Sequence, residues 1–164
     1  MITKSVRDHL ADSGCRWRVL QHPLAVDGAH LAEALGVSGH RVAKALLIEA
    51  GGGRLLAAIP ASSQLDLQAL SRLLGVAAQL APESLLAEQF PRCELGAAPP
   101  LGRLWGLPLV LDAALVQPGP IYFRGGSHDE AIELDGAAFI DLEQPVVAAI
   151  SFESEALVGG SAPG

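Results

Sequence analysis

Lys44 is the residue of this chain whose surroundings most suggest chemistry. It is one of only two lysines and lies inside Val42-Ala43-Lys44-Ala45-Leu46-Leu47-Ile48. Read as a strand, this segment puts Lys44 on one face with Val42, Leu46 and Ile48, and Ala43, Ala45, Leu47 and Glu49 on the other. An ammonium aimed at an apolar face is costly to bury unless a partner or a substrate compensates it. The other reading is that the four-carbon stem carries the charge to the rim and does nothing chemical. A second candidate is Gly96-Ala97-Ala98-Pro99-Pro100-Leu101-Gly102. Its glycines and prolines keep it out of helices and central strands, and such a loop can aim successive N–H groups at an anion. The prolines supply no donor, which leaves Gly96, Ala97, Ala98, Leu101 and Gly102; a plain surface turn is the alternative. The third candidate is His128 in Gly125-Gly126-Ser127-His128-Asp129, where a loop between two strands can hold an imidazole at the end of a sheet or simply leave it in water.

Other chemistries lack their signatures. His22, His30 and His40 are scattered, no HxxxH, HExxH or His-Cys grouping exists, and no metal or other cofactor is expected. No GxSxG elbow, Walker A loop or GxGxxG turn occurs, which removes serine hydrolases of that type, P-loop enzymes and dinucleotide oxidoreductases. Cys15 and Cys93 form no CxxC pair, and neither sits in an apparent nucleophile turn; both are expected to be reduced, buried thiols.

The elements that must position these residues come from a chain of 164 residues, enough for one core. Half of the residues are apolar but only 4% are aromatic, so Leu, Val, Ile and Ala build the interior. The longest apolar runs, such as Leu73 to Ala78 and Val146 to Ile150, fall far short of the roughly 18 residues that cross a bilayer. Residues 1–10 lack the apolar stretch of a signal peptide, so a cytoplasmic location is expected. The net charge of −7 argues against a surface that coats nucleic acid, while leaving room for a local basic lip.

Val6 and Leu10 share a helical face that Gly14 can stop, and Trp17 to Leu20 reads as a strand ended by His22-Pro23. Ala29 to Leu35 reads as a helix closed by Gly36. Val42 to Glu49 and Leu55 to Ile59 form a hairpin around Gly51-Gly52-Gly53. Asp66 caps a helix from Leu67 to Leu74, stopped by Gly75, and Pro82 opens another that runs to about Phe90. Cys93 to Leu107 is a loop, followed by strands at Leu107 to Leu111, Ile121 to Arg124 and Ala131 to Leu134 and a helix near Asp135. Six or seven strands and four or five helices without a regular βαβ rhythm make an α+β domain over residues 1–150. The tail 151–164 ends in Gly-Gly-Ser-Ala-Pro-Gly and is expected to be loose at its end.

Several of these stretches resemble one family in order and spacing over roughly residues 20–142. Arg41 to Ile48, Leu56-Ala57-Ala58-Ile59-Pro60, Leu65-Asp66-Leu67 and Leu73-Leu74-Gly75 are similar to the first half of the YbaK and prolyl-tRNA-synthetase-associated editing domain. Gly96-Ala97-Ala98-Pro99-Pro100 matches its Gly-x-x-x-Pro loop, Leu109-Val110-Leu111-Asp112 its strand ending in Asp, and Gly125-Gly126-Ser127-His128 its Ala/Gly-Gly-x-His hairpin. The resemblance implies a mixed, strongly curved β-sheet flanked by helices, and a cleft that takes the aminoacylated 3′ end of a tRNA and hydrolyses the ester. It implies catalytic roles for Lys44, Gly96 and Ala97, with the lysine and the loop backbone stabilising the aminoacyl carbonyl, or the loop holding the terminal ribose, and much of the proton transfer left to a tRNA hydroxyl. It places His22, Ala98, Pro100, Gly102, Asp112, Gly126, Ser127 and His128 around the substrate. The implied partners are tRNA and an aminoacyl-tRNA synthetase, with neither DNA nor a membrane. A binding module without catalysis, holding a tRNA 3′ end, a nucleotide or an aminoacyl-adenylate-like ligand, is the alternative. The family's loop often has Gly or Ser where this chain has Ala97, Ala98 and Pro99, so amino-acid preference does not carry over.

Overall fold

The computed structural model describes residues 3–153. Helix α1 (Lys4–Ser13) is opened by the Thr3 hydroxyl, which accepts from the Val6 N–H, and leads to strand β1 (Trp17–Gln21). Helix α2 (Gly28–Leu35) is capped by the Asp27 carboxylate. Strands β2 (Ala43–Ala50) and β3 (Gly53–Pro60) form the hairpin expected around the glycine triplet. Short β4 (Ser63–Leu65), helix α3 (Leu67–Leu74), β5 (Ala78–Leu80) and helix α4 (Glu83–Gln89) follow. The second half runs through helix α5 (Gly102–Trp105), β6 (Leu109–Asp112), β7 (Pro120–Arg124), β8 (Glu130–Asp135), helix α6 (Gly136–Glu143), β9 (Val146–Ala148) and β10 (Ser151–Glu153).

One mixed sheet has the order β5-β2-β3-β6-β9, with β2 antiparallel to β3 and β5, and β6 parallel to β3 and β9. A second sheet, β1-β8-β7, is antiparallel, and β10 pairs with β4. The two larger sheets meet at a parallel bridge between Val42 and Tyr122. This is the α+β class that the sequence predicts.

Strand alternation explains the packing. Ala43 and Leu47 of β2, with Leu56 and Ala58 of β3 and Leu109 and Leu111 of β6, face a core closed by Val6, Leu10, Phe123, Ile132 and Phe139. Ile48, Ala57, Ile59 and Val110 face the other way, against Leu70 of α3. Val42, Tyr122 and Ala131 pack under Leu31 and Ala32 of α2. Burying one such Leu, Ile or Phe side chain contributes about 2 kcal/mol.

Three expectations change. The stretch from Cys93 to Leu107 is not wholly loop, because Gly102–Trp105 coil into the short helix α5. Strands β4, β5, β9 and β10 have three residues each, too few for alternation to appear in the sequence. Ser151–Glu153, read as the start of the tail, pair with β4, so ordered structure continues past residue 150; the end of the tail lies outside the described residues. Among the described residues no helix is long and apolar enough to cross a membrane.

Candidate functional site

The site is built along an open stretch of β2. Strand β5 pairs only with Ile48, Glu49 and Ala50, so on that side Ala43 to Leu47 have no strand running beside them. Backbone N–H and C=O groups of such an edge are left for whatever lies beside it, although Leu47 C=O accepts from Ala81 N–H at 2.9 Å. Two cavities occupy that space. The first, about 240 Å³, is lined by Lys44 with Ala45 and Leu46, by Asp27 and Gly28 at the start of α2, by Arg124, and by Gly96 and Ala98. The second, about 280 Å³, is lined by Leu47, Leu80, Leu86, Phe90, Cys93 and Leu95. Ala45, Leu46, Gly96 and Ala98 line both, so they are two lobes of one cleft divided by a shared wall.

Lys44 is half-buried, and its pairing opposite Ile59 puts it on the β2 face away from Ala43 and Leu47. No carboxylate lies within ion-pair distance of its ammonium among the described residues. Burial pushes its pKa below that of an ordinary lysine, and the charge of Asp27 restores part of the loss. The ammonium is therefore a partly desolvated cation on a cavity wall.

The loop that faces it is held by the β7–β8 hairpin. Glu94 N–H donates to Gly126 C=O at 2.8 Å and Gly126 N–H to Ala97 C=O at 2.8 Å. His128 N–H donates to Glu94 Oε1 at 2.7 Å, and His128 Nε2 is 2.8 Å from Leu95 C=O. Gly126 is needed here, since its φ is +116° and a Cβ would lie 2.8 Å from Thr3 Cγ2. The same hairpin positions the opposite rim, where His22 N–H donates to Asp129 C=O and Ala25 N–H to His128 C=O, both at 3.0 Å.

The residues singled out from sequence thus fall into distinct places. Lys44, Gly96 and Ala98 line one cavity. Ala97 is fully buried and its N–H donates to Glu94 C=O at 2.9 Å, so that donor is already used inside the loop. Pro100 and Gly102 are buried behind the loop, and a Cβ on Gly102 would meet Leu107 C=O at 2.6 Å. Gly126, Ser127 and His128 belong to the supporting hairpin and line neither lobe; the Ser127 hydroxyl donates to Asp129 Oδ1 at 2.8 Å. His22 is buried beside that hairpin, with Nδ1 2.8 Å from Pro23 C=O. Asp112 lies elsewhere: its carboxylate accepts from Ile150 N–H at 2.7 Å and Ala114 N–H at 3.1 Å, and it lines a separate pocket with His40 and Ser63.

Sequence reasoning missed Asp27 and Arg124 as cavity residues, and the whole apolar lobe. Arg124 carried a signal, being a charge that ends the apolar run Ile121-Tyr122-Phe123 just before the Gly-Gly hairpin. The apolar lobe is assembled from β5, α4 and the loop after it, whose side chains read individually as ordinary core. Among the described residues no three His, Cys, Asp or Glu side chains come together as a metal site.

Two solved structures share this fold over almost their whole length. The hypothetical protein APE2540 is 25% identical, with a TM-score of 0.83 over 91% of this chain and 100% of that one. A proposed trans-editing enzyme for prolyl tRNA synthetase is 22% identical, with a TM-score of 0.81 over 93% of this chain and 99% of that one. The fold also recurs within a longer protein from Marinobacter aquaeolei VT8 assigned to signal transduction, at 16% identity and a TM-score of 0.73, over 93% of this chain and 31% of that one. The sequence itself matches the model of the aminoacyl-tRNA editing domain over residues 22–142, a span that contains Lys44, the glycine loop and the hairpin that holds it. The chain belongs to the aminoacyl-tRNA editing domain family.

Proposed function

We propose that this protein hydrolyses the ester of a mischarged aminoacyl-tRNA, with the Lys44 lobe holding the reacting carbonyl and the apolar lobe taking the amino-acid side chain. The observation that carries the reading is the half-buried ammonium of Lys44, without an ion-pair partner among the described residues, on the wall of a cavity that Gly96 and Ala98 also line. Such a cation is costly in the free protein and becomes favourable when negative charge develops beside it.

The chemistry needs little more. An aminoacyl ester is already reactive, and positioning plus stabilisation of the oxyanion supplies much of the barrier reduction. Water adds to the carbonyl carbon, and the carbonyl oxygen becomes an oxyanion beside Lys44 and the loop N–H groups of Gly96 and Ala98. Collapse breaks the bond to the ribose oxygen. That oxygen takes the proton lost by the water, and the free amino acid departs. A hydroxyl of the tRNA itself serves as the proton carrier in this scheme.

The wall of the second lobe supports a neutral, apolar acyl group. Leu46, Leu80, Leu86 and Phe90 offer no charge to pair with, and the Glu94 carboxylate on the same wall is engaged through Oε1 by His128 N–H. Cys93 adds none, because burial pushes its thiol up to about 11 and keeps it protonated at neutral pH.

The test is single-turnover hydrolysis of a mischarged tRNA by the wild type and by Lys44→Ala, with thermal unfolding measured on both. Loss of one oxyanion-type donor lowers the rate on the order of a hundredfold, about 3 kcal/mol. Thermal stability is expected to hold or rise, since a half-buried ammonium is replaced by an apolar group. Lys44→Arg is expected to be impaired as well, because the planar guanidinium does not fit where the compact ammonium did. Full activity in Lys44→Ala would remove the lysine from the mechanism.

A further inference from the structure

This inference rests on the reading of the cleft as an ester site and concerns the second cation in it. Arg124, the last residue of β7, lines the same cavity as Lys44 and is 7% exposed. Its Nη2 donates to Asp27 C=O at 3.1 Å, which ties the guanidinium to the rim ahead of α2. Its Nη1 is buried and has no hydrogen-bond partner among the described residues. Three other arginines are occupied elsewhere: Arg41 on Pro118 and Pro120 carbonyls, Arg54 on Gln89 and Glu88, Arg103 on Gln144.

The acids near Arg124 do not neutralise it. Asp27 Oδ1 accepts from His30 N–H at 2.8 Å, and Oδ2 is 2.7 Å from His30 Nδ1, so its carboxylate is turned to the helix cap. Glu94 Oε1 is taken by His128 N–H. Their fields reach Arg124, but neither carboxylate lies within ion-pair distance of it. Burial disfavours the charge on both Arg124 and Lys44, yet a guanidinium stays protonated in proteins. Among the described residues, one small cavity therefore holds two partly desolvated cations with no carboxylate in ion-pair distance of either.

We infer that Arg124 is an oxyanion-recognition residue: beside Lys44 it takes an anionic oxygen of the substrate other than that of the ester carbonyl. The planar fork of a guanidinium matches phosphate or carboxylate oxygens. Two sources carry such an oxygen, the phosphate of the terminal nucleotide and a carboxylate in the acyl group. The second lobe is lined mainly by apolar side chains, and its Glu94 carboxylate would repel an acidic acyl group, so the phosphate is the expected source.

The experiment uses amide-linked, non-hydrolysable 3′-alanylamino-3′-deoxyadenosine with and without a 5′-phosphate, and the aspartyl analogue without phosphate. Binding is measured by calorimetry on the wild type, Arg124→Gln and Arg124→Lys, each checked for an intact thermal transition. A charge-assisted pair of this kind raises affinity about tenfold. The 5′-phosphate is expected to give that gain in the wild type, to give none in Arg124→Gln, and to give part of it in Arg124→Lys. Binding of the ligand without phosphate should stay within about twofold across the three proteins. If Arg124→Gln instead loses affinity only for the aspartyl ligand, the oxyanion site stands and its source is a substrate carboxylate. An equal loss on every ligand, or no gain from either anion in the wild type, overturns the inference and leaves Arg124 as a tether for the rim loop. Wild-type deacylation of mischarged tRNA is followed on the same preparation. Its absence counts against the editing reading, whereas intact turnover without a phosphate-dependent loss in Arg124→Gln counts against Arg124 alone.

Discussion

One lobe of the cleft is lined by Lys44, Arg124 and Asp27, the other by Leu80, Leu86, Phe90 and Cys93, and the two share a wall of Ala45, Leu46, Gly96 and Ala98. The charged lobe is suited to what every aminoacyl-tRNA has in common, an ester next to a ribose and a phosphate. The apolar lobe is suited to what differs between them, the side chain. On the proposed reading, charge and geometry in the first lobe would set whether the reaction goes, and volume in the second which substrate is chosen. Their supports differ too. The charged lobe is fixed by hydrogen bonds through the β7–β8 hairpin, the apolar lobe by packing of α4 against Trp105, whose ring meets Phe90 edge-on at 5.0 Å.

The largest effect expected from breaking this division comes from Ala98→Leu on the shared wall. Narrowing the cleft at the wall common to both lobes should slow every ester and change discrimination between large and small apolar acyl groups by roughly 10- to 200-fold, about 1–3 kcal/mol, against the larger group. Competition between two mischarged tRNAs reads the ratio, and an unchanged ratio would place the side chain elsewhere. Next is Gly126→Ala, which forces a Cβ into a left-handed backbone and against Thr3. A loss of about 1–3 kcal/mol in unfolding free energy is expected, with weaker turnover as the 94–97 loop loosens. Denaturant titration checks it.

Asp27→Ala removes the cap of α2 and should cost about 1 kcal/mol of stability. It should also lower the pKa of Lys44 further, because Asp27 is what raises it. The pH dependence is the smallest effect. Lys44 has a folded pKa below its unfolded one, so its charge is a stability deficit at neutral pH that fades as pH rises through the folded value. Lys44→Met should therefore stabilise the protein at neutral pH, with a gain that shrinks toward the ordinary lysine range. Activity, corrected for spontaneous ester hydrolysis, should fall on the alkaline side earlier than an ordinary lysine would allow. A flat profile through that range would mean that the ammonium is not used.

Much of this was legible in the sequence because the signals are local. Gly14, Gly36 and Gly75 stop their helices in left-handed conformation, and Asp66 and Asp135 cap theirs through backbone N–H groups, as their spacing to the apolar runs requires. Lys44 stood out because alternation alone put a charge on an apolar face. Asp112 shows the limit: it matches a motif, yet it is buried away from the cleft and its carboxylate holds Ile150 N–H and Ala114 N–H. Ala97 shows another, since only the folded loop reveals that its N–H is spent on Glu94. The apolar lobe could not be read at all, because an empty space between Leu80, Leu86 and Phe90 is a property of packing between distant segments.

The most direct test of the two-lobe account is single-turnover deacylation of one tRNA body esterified with a series of amino acids. The predicted result is hydrolysis well above the buffer rate for one or more small or medium apolar acyl groups, and near the buffer rate for Asp, Glu, Lys and Arg esters. Acceleration of charged esters, or of none, would contradict it.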